Sequence, residues 1–217
     1  MSVTIETNSP ITQNLKMLRA LFAKHVGEDP SAQTFLVTVP LRICPLGAHS
    51  DHQGGLVTGL TIDRFIQLLG RRADLPEAHV WSSHFKESRA VTFSDIPDRT
   101  PGDWGNYLRG AAQALQKNGQ HLSQGFSAVV HSTMPIGGLS SSAAVSIAYL
   151  KALEHVNGLS SSPLETISLV RAVENGYLGL HNGILDQSVI VSGKRNALSC
   201  IDCATHSITN LPQGDSS

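Results

Sequence analysis

Cysteine is scarce and odd in number. Three residues, Cys44, Cys200 and Cys203, cannot build the paired framework of a small secreted domain, and they point to a reducing, cytoplasmic setting. Cys200 and Cys203 form a C-x-x-C with His206 nearby, but no second pair completes a tetrahedral zinc site, so both read as structural residues on a strand. Aromatic residues make up only 5% of the chain, too few for the stacking platforms that bind single-stranded nucleic acid. The formal charge of -1, from 16 Lys and Arg against 17 Asp and Glu, leaves neither a basic face for nucleic acid nor an acidic tail. No apolar run approaches the roughly 18 residues of a membrane span, and no secretory signal opens the chain. What is present is 217 residues with 41% hydrophobic content, enough for one sizeable core. A soluble, monomeric, cytoplasmic protein with small-molecule partners is expected, without nucleic acid or membrane.

The hydrophobic periodicity alternates between helix and strand. Ile11, Leu15, Leu18, Phe22 and Val26 recur at helical spacing, "TFLVTVPLRI" reads as a strand running into a loop, and "VTGLTIDRFIQLLGRR" supplies more strand. "HVWSSHFKESRAVTF" alternates as a hairpin. Trp104, Tyr107, Leu108, Ala111 and Leu115 predict a helix from Asp103, stopped at Gly119. A strand, "GFSAVVHSTMP", then leads through "IGGLSSSAA" into an alanine-rich helix over 143–156. Ser162-Pro163-Leu164-Glu165 carries the signature of a capping box for the helix that bears Glu174. "NALSCIDC" and "HSITNL" close the chain as a hairpin. His79, His84, His121 and His131 are scattered and read as solvated or core residues.

Two stretches carry chemistry. "PIGGLSSSAA" sets small residues and hydroxyls at the first turn of a helix, where free N–H groups and the positive dipole end favour a phosphate. It is neither a Walker loop, having no Lys after the glycines, nor a dinucleotide G-x-G-x-x-G; an N-capped helix with small residues for packing is the alternative. "PLRICPLGAHSDHQGG" gathers Arg42, His49, Asp51 and His52 around a turn, with the small Ala48 directly before His49.

Those stretches and "ENGYLGLHNGILDQS" occur in the order and spacing of the galactokinase branch of the GHMP small-molecule kinases, whose first motif is similar to G-R-x-N-L-I-G-E-H-x-D-Y. The resemblance covers residues from about 37 to 205. It implies an α+β GHMP N-terminal domain over 1–217 (the ribosomal protein S5 domain 2-like fold), with a mixed sheet covered by helices. Its segments are a substrate-recognition motif at 37–55, a phosphate loop at 134–144 and a catalytic segment at 174–188. A C-terminal GHMP domain is implied and is absent from this sequence. The chain departs from galactokinases at Cys44 for asparagine, Ala48 for glutamate, His52 for tyrosine, and a phosphate loop one residue short. In these features it resembles the galacturonokinases, which phosphorylate the C1 hydroxyl of D-galacturonic acid.

The resemblance implies roles residue by residue. Asp186 is the base and Arg42 the cation beside it; Arg42, Ala48, His49, Asp51, Asn182, Gly183 and Asp186 bind the sugar or sugar acid. Pro135, Gly137, Gly138, Leu139, Ser140, Ser141, Ser142 and Ala143 cradle ATP, and Ser142 and Glu174 hold Mg²⁺. At position 48, the glutamate of galactokinases faces the C6 hydroxyl. A uronic acid brings its own carboxylate there, and two such charges at about 4 Å repel by roughly 4 kcal/mol at an effective dielectric constant of 20, so alanine admits the acid. A small residue packing behind a turn is the alternative for Ala48, as a helix cap is for Asp186. A galactokinase, a non-catalytic sugar sensor and a truncated inactive fragment are the rival readings of the whole.

Overall fold

A computed structural model describes residues 10–27, 33–135 and 140–212. Helix α1 (Pro10–His25) is followed by β1 (Thr34–Ile43), a single 3-10 turn (Asp51–Gln53), the long β2 (Leu56–Ala73), and the hairpin of β3 (Glu77–Ser82) and β4 (Glu87–Thr92). Next come α2 (Asn106–Lys117), β5 (Gly125–Ser132), α3 (Ser141–Asn157) and α4 (Pro163–Arg171). A π-helical segment (Ala172–Tyr177), α5 (Leu185–Ser192), β6 (Ala197–Asp202) and β7 (Ser207–Pro212) follow. The described strands form one seven-stranded sheet in the order β4-β3-β5-β2-β6-β7, with β1 also paired to β2. Only β3 and β5 run parallel. This is the α+β architecture the sequence predicts.

Strand β2 is the spine. Its first residues, Leu56–Gly59, pair with β6, its last, Ile66–Ala73, pair with β5, and β1 runs along it from Leu60 to Arg71. Because helices cover both faces of its second half, residues 66–70 are buried without alternation, as expected for a two-sided strand. Leu68 and Ile66 face the main core with Leu108, Leu115, Phe126, Leu150 and Leu153. Leu69 faces the opposite side, where Leu18 and Phe22 of α1 meet Trp81 and Val129. Helix α3 is buried over most of its surface, Ala143, Ala144, Ala148 and Ala152 fully so, and these small side chains let neighbouring helices approach it closely.

Boundaries differ from the sequence reading in three places. Helix α2 begins at Asn106, leaving Trp104 in the preceding turn, because Asp103 accepts the Gly105 N–H and ties that turn down. Helix α3 begins at Ser141 rather than 143, since Ser140 takes a left-handed conformation (φ 57°) and so sets the first turn. Cys203 lies in the turn beyond β6 instead of on the strand, where burial pushes its thiol up to about 11. The capping box of α4 forms as read: Ser162 N donates to Glu165 Oε2 at 2.7 Å and Glu165 N to Ser162 Oγ at 3.3 Å.

A third small core places the site. Val57 and Ile201 of the sheet pack with Leu185 and Val189 of α5, and α5 comes so close to β2 that a Cβ at Gly59 would meet the Val189 side chain, with Cγ1 only 3.1 Å away. Valine cannot swing aside, so Gly59→Ala is expected to cost about 1–3 kcal/mol through overpacking. Urea unfolding checks it: an unchanged midpoint would mean that α5 is free to shift.

Candidate functional site

Arg42 stands near the end of β1 and Asp186 in the first turn of α5. Arg42 donates to Asp186 Oδ1 from Nε at 2.8 Å and from Nη2 at 2.5 Å, and the Ser140 hydroxyl donates to Oδ2. Both carboxylate oxygens are thus held, while the side chain keeps 23% exposure against 13% for Arg42. A carboxylate fixed on two sides yet open to solvent is oriented for a proton arriving from outside. Ser140 reaches it from the left-handed position ahead of α3, a conformation uncommon for a residue with a side chain.

The turn after β1 carries the rest of the first motif. Ala48 and His49 are exposed on it, and Asp51 opens the 3-10 turn. Asp51 presses on Gly183: a Cβ there would lie 2.5 Å from Asp51 Cγ and 2.8 Å from its backbone carbon, so only glycine allows this approach. The loop holding Gly183 is clamped by Asn175, whose side chain donates to Asn182 O at 2.9 Å and accepts from Asn182 N at 3.1 Å. Nothing in the sequence motif announces that clamp, which mimics strand pairing with one amide side chain.

Glu174 sits on the π-helical segment rather than on the continued α-helix that the sequence suggests; such wide turns recur at functional sites. It is 1% exposed, and neither carboxylate oxygen has a hydrogen-bond partner. Burial pushes its carboxyl above the usual range and the Asp186 charge adds to this; Ser142, Asn182 and Arg42 oppose it without reversing it. Those influences also place Glu174, Ser142, Asn182, Asp186 and Arg42 in one neighbourhood. Of the anticipated phosphate loop, Gly137, Gly138 and Leu139 lie outside the described residues; Pro135 precedes them, and Ser140, Ser141, Ser142 and Ala143 form the start of α3.

Alongside Ser141 and Ser142 opens a cavity of about 330 Å³, lined among others by Phe85, Trp104, Tyr107, His131 and Tyr149. Phe85 and Trp104 stack at 5.6 Å with planes 1° apart. Trp104 Nε1 donates to Glu87 at 3.0 Å, and Arg89 ties Glu87 to Asp103, which also pairs with Arg109. Sequence reading takes these aromatics for core or hairpin residues; the signal available was the closeness of Trp104 and Tyr107 in the chain, while Phe85 and Tyr149 come from distant segments. His84 and His131 also line this cavity instead of being scattered. The arrangement offers a flat apolar slot next to a helix N-terminus, which suits a base joined to phosphates.

The fold has counterparts among known proteins. Residues 106–194 match the family described as GHMP kinases N terminal domain. The chain is 37% identical to a galacturonokinase of Arabidopsis thaliana over 94% of its own length and 53% of that protein. It is 29% identical to a galactokinase of Clostridium perfringens over 87% of the chain and 49% of that protein. The structure superposes on Lactococcus lactis galactokinase complexed with galactose with a TM-score of 0.85 at 27% identity, covering 92% of this chain and 52% of that one. The chain spans about half the length of the curated relatives it matches.

The bare carboxylate of Glu174 generates a prediction. Its folded value is raised, so the stability tied to the protonated form is fully present below the unfolded-chain value and is lost as pH rises through the raised folded value. Without added metal, Glu174→Gln is therefore expected to melt higher than the parent at neutral pH, with the difference vanishing in acid. Thermal melts across pH decide it, and coincident curves at every pH would show that Glu174 carries no such penalty.

Proposed function

From the premise of a GHMP kinase N-terminal domain, we propose that the chain holds the substrates of a sugar 1-kinase, which transfers the terminal phosphoryl group of ATP to the C1 hydroxyl of a hexose-type sugar, D-galacturonate by preference. The observation that carries this reading is the Asp186 carboxylate, held on one side by Arg42 and on the other by Ser140, beside a helix N-terminus and an aromatic slot. Asp186 receives the proton of the C1 hydroxyl. Arg42 holds that carboxylate in place through its paired hydrogen bonds and stabilises the alkoxide as it forms. Phosphoryl transfer needs little more from the protein than alignment and neutralisation of charge.

Asp51, Asn182 and Gly183 hold the ring hydroxyls, and the clamp from Asn175 keeps their loop in place. The aromatic cavity takes the purine, and the first turn of α3 takes the phosphates. A divalent cation fits the donors that are present: the unpartnered, buried carboxylate of Glu174 with the Ser142 hydroxyl nearby would hold Mg²⁺. Among the described residues no three His, Cys, Asp or Glu side chains cluster to cage a metal, which accords with an ion whose remaining ligands are phosphate oxygens and water. When bound, Mg²⁺ would supply charge neutralisation at those phosphates. An independent readout is available: Mg²⁺ with nucleotide should raise the melting temperature of the parent and not that of Glu174→Gln.

Support for galacturonate comes from position 48. The alanine removes an acid from the place that galactokinases give to the C6 hydroxyl, and the relative with galacturonokinase in its name is more similar than the galactokinase relative. Calorimetric binding of galacturonate and galactose, with ADP release measured for each, tests the reading; ADP release that depends on neither sugar, together with binding of neither, would overturn it. Ala48 is exposed, so solvent screens the carboxylate repulsion. Ala48→Glu is expected to lower kcat/KM for galacturonate by about 10- to 100-fold while galactose holds or gains. An equal loss for both sugars would reduce position 48 to packing.

A further inference from the structure

A second cavity, of about 340 Å³, lies beside the reaction centre, and none of Arg42, Ser140 and Asp186 lines it. Four separate elements bring cation-capable side chains to its wall: His52 from the 3-10 turn, Arg171 from the end of α4, His181 from the loop before α5, and His206 from the turn between β6 and β7. Arg171 forms no ion pair among the described residues. The cavity's one carboxylate, Asp51, lies to one side of it, with Oδ1 3.6 Å from His52 Nδ1 and the side chain packed against Gly183. The turn that offers His206 is itself fixed: Asp202 Oδ1 accepts from Ala204 N at 2.9 Å and Thr205 N at 3.2 Å, and His206 takes a left-handed φ of 60°.

We propose that this hollow is a binding site for a small oxyanion of the phosphate class. Arg171 supplies a forked donor that matches two oxygens of a tetrahedral anion. The imidazoles of His181 and His206 supply further N–H groups. Its volume admits a phosphate monoester as well as free phosphate, and both present the same group to Arg171. The site shares Asp51, Asn182 and Gly183 with the sugar loop, so that if the loop binds sugar as proposed above, an anion in the hollow is felt there. Anion binding itself does not depend on the kinase reading.

The test is a titration with inorganic phosphate, following the imidazole proton resonances of His181 and His206 in the parent chain, Arg171→Gln and Ser142→Ala. Saturable shifts are expected in the parent and in Ser142→Ala, because the start of α3 is a separate phosphate position. Arg171→Gln is expected to weaken the midpoint by about tenfold or more, as for loss of a charge-assisted pair. A parallel titration with a hexose 1-phosphate separates the two sources: a tighter midpoint assigns the hollow to the sugar phosphate, an equal or weaker one to free phosphate. Absence of saturable shifts at both histidines, or an Arg171→Gln midpoint equal to the parent's, would overturn the proposal. His206→Gln, on an exposed turn, provides a second variant with the same expected direction.

Discussion

The ion pair between Arg42 and Asp186 joins side chains 144 positions apart, and much of the fold serves to bring them together. Strand β1 delivers the arginine because it pairs along nearly the whole of β2. Helix α5 delivers the aspartate because Val57, Ile201 and the gap at Gly59 let it settle onto the start of the same strand. Ser140 completes the hold from a third element. A half-buried pair of this kind adds little to net stability, since desolvation offsets most of the Coulomb gain. What the pair supplies is a carboxylate fixed in position at the surface of the site.

Two carboxylates share this neighbourhood with opposite surroundings. Asp186 has donors on both oxygens; Glu174, more deeply buried, has none on either. Environments that separate like groups in this way commonly assign them different tasks. A paired carboxylate suits proton transfer, and a bare one suits a cation that arrives with the nucleotide. The π-helical segment and the Asn175 clamp connect the two, because Glu174 and Asn175 are adjacent and the clamp reaches the loop that leads to Asp186.

The α+β order, the strand and helix on either side of the phosphate segment and the capping box of α4 were legible because each is written in local pattern: period, glycine placement and a Ser-x-x-Glu spacing. Arg42, Asp186 and Glu174 were legible through three ordered motifs, which carry more information than any single residue. The start of α3 was misread because one left-handed serine decides it, and propensity does not reveal φ. The aromatic cavity was missed because Phe85 and Trp104 meet only through the Glu87–Arg89–Asp103 network, a tertiary arrangement with no periodic signature. The cation-lined hollow escaped for the same reason: its side chains come from four distant segments.

The central claim, that Arg42 and Asp186 act as one unit on the C1 hydroxyl, is tested most directly by a double-mutant cycle on sugar-dependent ADP release with Arg42→Met, Asp186→Asn and the pair combined. Each single change is expected to cost about 10²- to 10⁴-fold in kcat, with the double variant no slower than the worse single one, because groups that act together are lost together. Losses that multiply in the double variant would contradict the account and assign the two residues separate tasks.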